Sequence, residues 1–481
     1  MRTGLTLVAL CAFGGVAAAT DYEVGSGQAY SSPCMLMSAV TLQPGDHVTV
    51  DAGTYTDYCK VSASGSESAP ITMTMSAGAI FDPGSADLSG AGSVPRAIFQ
   101  FEGAYWEWNG GEYQNAQGSS GNGAAFRITA AGDHVHLVGA KIHGCQDGIM
   151  GDGDGAMTIE DSELYGNGAN DGYTHNIYMS NDTVVLRGNY IHDSAGGQNV
   201  KLRARYAELD WNVIARGGNY EIDLIQGPST GGANGNAVLM GNVVVRPADS
   251  GNNSQVILYG TDDLSQAGRN GGLHLYFNTF VMANSSNHLI HANGPSAGAT
   301  IELVGNLIDA TAPGTNITTD AGTDALVSGS SNWIANGITA PASLAATTLG
   351  DDPMFAGPAS DDYSLTSAST ALAAGGSVQP QFMDGSGTPQ SGYPLEMMVE
   401  PMTPSYAPRS TNPPFAAGAY GVASTGGGDF RPADDVPCID GSCDDNTGSG
   451  GGCCQTGSSG AASGVLLAFG VGLALSRRRR R

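Results

Sequence analysis

The sequence predicts an all-β chain wound as a right-handed parallel β-helix, and three observations lead there. Short alternating strands recur in cycles: "HVHLVGAKIHG", "MTIEDSELYGN", "TVVLRGNYIHD", "YAELDWNVIAR", "AVLMGNVVVRP", "LHLYFNTFVMA", "TIELVGNLIDA". One residue returns at the same turn of each cycle, as Ala140, Ser162, Asn189, Asn212, Asn242, Asn278 and Asn306, at spacings of 22, 27, 23, 30, 36 and 28. Strands of fixed pattern joined by loops of variable length describe a solenoid. No long segment carries the 3.6-residue period of an amphipathic helix, although 41% of the residues are apolar, so a helical bundle is not expected. Stacked turn asparagines have a physical purpose, because their amides can bond to the coils above and below and satisfy backbone groups that a tight turn buries.

From the N-terminus, "MRTGLTLVALCAFGGVAAAT" has one Arg, an apolar run and a small-residue end, the plan of a secretory signal peptide over residues 1–20. The β-helix is expected over 21–421. A Gly/Ser-rich stalk follows at 422–455, and a short apolar segment with five terminal arginines, Arg477 to Arg481, occupies 456–481. Cysteine usage suits an oxidising compartment: Cys34 with Cys59 and Cys438 with Cys443 are expected disulfides, and Cys145 a buried inert thiol. The order of cysteine, apolar segment and arginine tail in "GGCCQTGSSGAASGVLLAFGVGLALSRRRRR" resembles the MYXO-CTERM sorting signal of myxobacterial surface proteins. That resemblance implies sorting to the cell surface, with Cys453 or Cys454 as the processed cysteine. The expected location is therefore outside the cell, outer-membrane-associated or secreted, with membrane contact only through this tail.

The chain has a formal charge of −26, with 45 Asp/Glu against 19 Lys/Arg. No basic patch suits nucleic acid. Yet "GGQNVKLRAR" places Lys201, Arg203 and Arg205 within five positions. The stretch belongs to a second alternating strand in each cycle, aligned as "QDGIMGD", "THNIYMS", "GQNVKLR", "NYEIDLI", "NSQVILY" and "SNHLIHA". Ile149, Ile177, Val200, Ile222, Val256 and Leu289 are expected to form one inward column, and Met179, Leu202, Leu224 and Leu258 another. The residues between then face outward: Asn176, Asn199, Glu221, Gln255 and His288 in one column, and Tyr178, Lys201 and Asp223 in the next. Arg203 follows Ser180 in the third. Strands about 4.8 Å apart make these neighbours, so the bases sit at the centre of a mixed-charge face.

The opening "VGSGQAY…LQPGDHVTVDAGTY" and the closing "GDDPMFAGPASDDYSLTSASTALAAG" resemble pectate-lyase-like β-helix proteins, a likeness that spans roughly 22–421. That fold hosts lyases, hydrolases, epimerases and adhesins. β-Elimination from a uronate needs a neutralised carboxylate, a base for the C5 proton and an acid for the leaving oxygen. Lys201 is the expected base if neighbouring cations lower its pKa, and Tyr178 can serve the leaving oxygen. Glu221 and Asp223, with Asn199 and Asn176, offer oxygen ligands suited to Ca²⁺. The patch is also similar to the calcium-using alginate lyase and chondroitinase B group. By matching roles that implies Lys201 as base, Arg203 as partner, and Glu221 and Asp223 as metal ligands, although here lysine and arginine share one strand. Arg205, His175, Asn176 and Asn199 complete the expected substrate contacts.

His143 and His192 read as turn residues, "MGDGDG" as an ordinary Gly/Asp turn, and one at least of Trp106 and Trp108 as core. Two functions follow. The first is a lyase or epimerase acting as a monomer on an acidic polysaccharide. The alternative is a non-catalytic surface adhesin or carbohydrate-binding β-helix, with the same face gripping glycans. A solvated ladder of ion pairs, contributing only about 0–1 kcal/mol per pair, is the plain structural reading of that face.

Overall fold

The computed structural model describes residues 19–227, 235–248, 255–283, 288–311, 314–319, 321–392, 396–398, 405–407 and 415–421. The signal segment lies almost wholly outside them. The stalk and sorting segment, with Cys438, Cys443, Cys453 and Cys454, lie wholly outside. Strands fall into three long sheets of thirteen, twelve and ten strands. The chain visits the sheets in turn, one strand in each per coil; around Lys201 these are Thr183–Arg187, Tyr190–His192 and Val200–Leu202. Neighbouring strands in the three sheets run parallel. The fold is the right-handed parallel β-helix that the repeats predict.

Inside the ten-stranded sheet, Ile149, Ile177, Val200, Ile222, Ile257 and Ile290 stack in register. The expected column had Val256 and Leu289 in the last two places, with Leu258 in the column beside it. The structure shifts that strand by one residue, so Ile257 lies against Ile222 and Leu258 against Asp223. Positions 256, 257 and 258 are all apolar, and alternation cannot set register where both faces are apolar. The first coils are filled by rings: Phe81, Phe99, Phe101, Trp106, Trp108 and Tyr113 are each 0% exposed. Trp108 Nε1 donates to the Tyr113 hydroxyl at 2.7 Å. Both tryptophans are therefore core.

The turn column is a hydrogen-bonded ladder that runs on to Asn332, one coil further than the repeats suggested. Asn189, Asn212, Asn242, Asn278, Asn306 and Asn332 are wholly buried. Through Asn306, each amide donates to the next Asn Oδ1 at 2.9–3.1 Å. All six amides also donate to a strand carbonyl of the preceding coil at 2.7–3.0 Å. The residue just before each, from Gly188 to Ser331, has a left-handed φ of +54° to +69°. Trp211 and Phe277 adopt it too, a conformation bulky residues hold only when their surroundings enforce it. Asn242→Ala should orphan the Leu209 carbonyl and the Asn212 amide, at about 1–3 kcal/mol per group. Urea unfolding measures this, and an unchanged midpoint would deny the ladder a structural role.

Cys34 and Cys59 are disulfide-bonded, with Cα atoms 5.7 Å apart, tying the helix Pro33–Ala39 to the strand Cys59–Val61. Cys145 is a buried free thiol whose pKa burial pushes up to about 12, which makes it a poor nucleophile. His143 and His192 lie on strands rather than in turns, and both stack on Tyr165, at 4.9 and 5.2 Å. Near the end, an antiparallel hairpin of Gln381–Met383 and Pro389–Ser391 is held against the thirteen-stranded sheet by Asn236 and Tyr276. Among the described residues no helix is long and apolar enough to cross a membrane.

Candidate functional site

Register sets the site. Tyr178, Lys201 and Asp223 are successive partners across the strands Ile177–Met179, Val200–Leu202 and Ile222–Ile225. Their side chains alternate with the inward Ile177, Val200 and Ile222, as period 2 requires. Lys201 Nζ lies 3.1 Å from Asp223 Oδ2 and 3.3 Å from Asp262 Oδ2. Arg203 Nη2 reaches the same Asp262 oxygen at 2.6 Å, its Nη1 donates to the Gln226 carbonyl at 2.9 Å, and its Nε donates to the Tyr178 hydroxyl at 3.1 Å. Lys201 Nζ also stands 5.8 Å from the centre of the Tyr178 ring. The sequence thus brings Lys201, Arg203, Tyr178 and Asp223 together as expected.

Their electrostatics differ from expectation. Burial disfavours the Lys201 charge, but the Asp223 and Asp262 carboxylates outweigh it and hold the ammonium above the ordinary lysine range. A lysine held this way supplies positive charge, and the lowered pKa on which a base role for Lys201 depends is not what its surroundings favour. Burial raises Asp223 as well, against the pull of Lys201; the 3.1 Å contact with a full ammonium favours the ionised pair. His175 is 2% exposed, and burial followed by the Lys201 charge lowers its pKa to about 3. Its Nδ1 accepts the Gln198 N–H at 3.0 Å. The ring is therefore neutral with its proton on Nε2, and it packs edge-on against Tyr178 at 5.4 Å. It supports the tyrosine from below rather than facing solvent.

Asn176, Asn199 and Glu221 are not outward-facing. All three are 0% exposed and form a second buried ladder at another corner of the coil. Asn176 Nδ2 donates to Asn199 Oδ1 at 2.8 Å, and Asn199 Nδ2 donates to Glu221 Oε2 at 2.7 Å. Glu221 also accepts the Gly217 N–H and pairs with the wholly buried Arg246 at 3.2 Å. The turn before each strand rotates these positions inward, which period 2 within the strand does not reveal. Arg205 is likewise diverted, to Asp182 at 2.8 Å and to the Gly385 carbonyl.

The expected calcium ligands do not fit the ion. Both Glu221 oxygens already accept hydrogen bonds, and a guanidinium lies against one of them. Asp223 faces an ammonium. A divalent cation there would sit beside Lys201 and Arg246 and be repelled by both. Among the described residues no group of three or more His, Cys, Asp or Glu is arranged to hold a metal.

Sequence reasoning missed four members of this neighbourhood. Asp262 lies in an aperiodic loop 61 residues from Lys201, where no pattern points to it. Gln198 donates to Asp223 Oδ2 at 3.1 Å, and Gln226 donates to Asp262 Oδ1 at 3.3 Å. Arg246 had a signal, as the lone charge ending the apolar "VVVR". Two clefts, of about 540 and 360 Å³, lie elsewhere on the outer face of the thirteen-stranded sheet.

No family model and no curated protein matches the chain. Among solved structures it is similar to the pectate lyase Pel9A, at 19% identity and a TM-score of 0.46 over 85% of this chain and 98% of that one. It is similar to an alginate lyase from Paenibacillus sp. str. FPU-7, at 15% identity and a TM-score of 0.38 over 69% and 99%. It is also similar to PfbA, a surface protein and adhesin of Streptococcus pneumoniae, at 10% identity and a TM-score of 0.42 over 63% and 89%.

Proposed function

We propose that the outward face around Lys201 and Arg203 acts on a uronate-containing polysaccharide by β-elimination, on an exported, surface-sorted protein. The observation that carries this reading is the hydrogen bond from Arg203 Nε to the Tyr178 hydroxyl, beside the Lys201 ammonium. Two fixed cations neutralise the uronate carboxylate and so acidify C5. The same guanidinium holds the Tyr178 hydroxyl beside both cations, which places Tyr178 to take the C5 proton. The C5–H electrons form the C4–C5 double bond, the C4–O4 bond breaks, and the proton that Tyr178 has taken from C5 passes to O4 as it leaves. Charge neutralisation is assigned to Lys201 and Arg203, because Glu221 and Asp223 do not suit calcium.

A second reading, glycan binding without cleavage, is favoured by the ion pairs that engage both cations. The test is incubation with alginate, pectate and glycosaminoglycans, with and without calcium. Ultraviolet absorbance from an unsaturated product should appear with at least one polymer and persist in chelator. Retention on an acidic polymer column with no absorbance from any polymer would leave only the binding reading.

A further inference from the structure

We infer that Lys201, Arg203 and Gln226 form a carboxylate-binding subsite, and that Asp262 is an internal occupant which a substrate carboxylate displaces. This rests on the reading of the face as a uronate site and adds the residue that controls entry to it.

The two carboxylates touching Lys201 differ in kind. Asp223 is built into a strand of the ten-stranded sheet and its side chain is 1% exposed. Asp262 lies in a loop, and its side chain is 33% exposed. One of its oxygens receives both Lys201 Nζ and Arg203 Nη2, and the other receives Gln226 Nε2. Three donors from three separate positions therefore converge on one carboxylate, the geometry by which a uronate would be held. Asp223 holds Lys201 from the strand side, 3.1 Å from its Nζ, independently of the loop.

The loop is suited to release it. Its ends are pinned: Thr261 exchanges hydrogen bonds with Asn293, at 2.8 and 2.7 Å, and buried Arg269 donates to the carbonyls of Ala204, Arg205 and Gly235. Between the pins, Asp263 closes a local turn on Ser265 and Gln266, and Leu264 is 72% exposed. Among the described residues, the side-chain bonds joining 262–267 to the rest of the molecule end on Asp262. An incoming carboxylate accepts from the same three donors, so its exchange for Asp262 replaces each hydrogen bond that it breaks. A neutral sugar offers no such exchange and is excluded.

Calorimetry with glucuronate, and with glucose as the uncharged counterpart, tests this on the wild-type protein and Asp262→Asn. Removing the internal competitor should tighten glucuronate binding about tenfold, as expected if roughly one molecule in ten is open in the wild type. Glucose should bind neither protein, and the gain should vanish in Arg203→Ala/Asp262→Asn. Equal glucuronate affinity in the two proteins, or no binding to either, overturns the proposal. So does unchanged affinity with collapsed polymer cleavage, which would make Asp262 a catalytic group. Tighter glucuronate binding with no polymer cleaved supports the subsite and removes β-elimination instead.

Discussion

Lys201→Ala is expected to cut action on a uronate polymer severely and to destabilise the fold by about 3–5 kcal/mol, the usual cost of stripping one partner from a buried ion pair. The second effect follows from the 1% exposure of the Asp223 side chain, which loses its ammonium and cannot reach water. The first follows from loss of the charge facing the uronate carboxylate, a loss of about 10²–10³ in turnover for a transition-state charge contact. The two effects separate in Lys201→Ala/Asp223→Asn, where most of the stability should return and the activity should not. Lys201→Arg retains the charge but cannot act as a base. A measurable residue of activity in that variant supports the electrostatic role assigned here. Complete loss in Lys201→Arg with full stability would return the base role to Lys201.

Glu221→Ala should cost a similar amount, about 3–5 kcal/mol, because it leaves buried Arg246 without its carboxylate. Glu221 and Arg246 are each 0% exposed and 3.2 Å apart. Burial raises the Glu221 pKa, opposed first by Arg246 and then by the Gly217 N–H and Asn199. Glu221→Gln keeps an acceptor for Asn199 and should lose less. Urea unfolding followed by circular dichroism gives the ranking, and an alanine variant as stable as the wild type would refute the buried pair. Calorimetry with calcium should give the same heat for wild type and Glu221→Gln, since the residue is a ladder member rather than a metal ligand.

Much of the candidate site was legible because a parallel stack converts sequence alignment directly into neighbours. Tyr178, Lys201 and Asp223 share one position of the repeat, and register places them side by side. Asn176, Asn199 and Glu221 share a position too, but it falls in the turn before the strand, where the chain rotates side chains inward. The same alignment was therefore right about adjacency and wrong about direction. Leu258 shows the related limit: in a strand apolar on both faces, alternation carries no register information.

By itself the sequence determined the winding of the chain, since turn asparagines and period-2 strands are local patterns repeated at coil intervals. It also determined which residues share a column, because stacking is translation along one axis. Only the tertiary structure decided which columns are buried, because that depends on the curvature of each turn. It alone brought Asp262 across 61 residues to Lys201 and Arg246 beneath Glu221. Loop positions obey no period, so their partners are set by where the coil returns them. The surroundings of Lys201 were decided there too: two carboxylates, one from a strand and one from a loop, raise its pKa against the burial that lowers it.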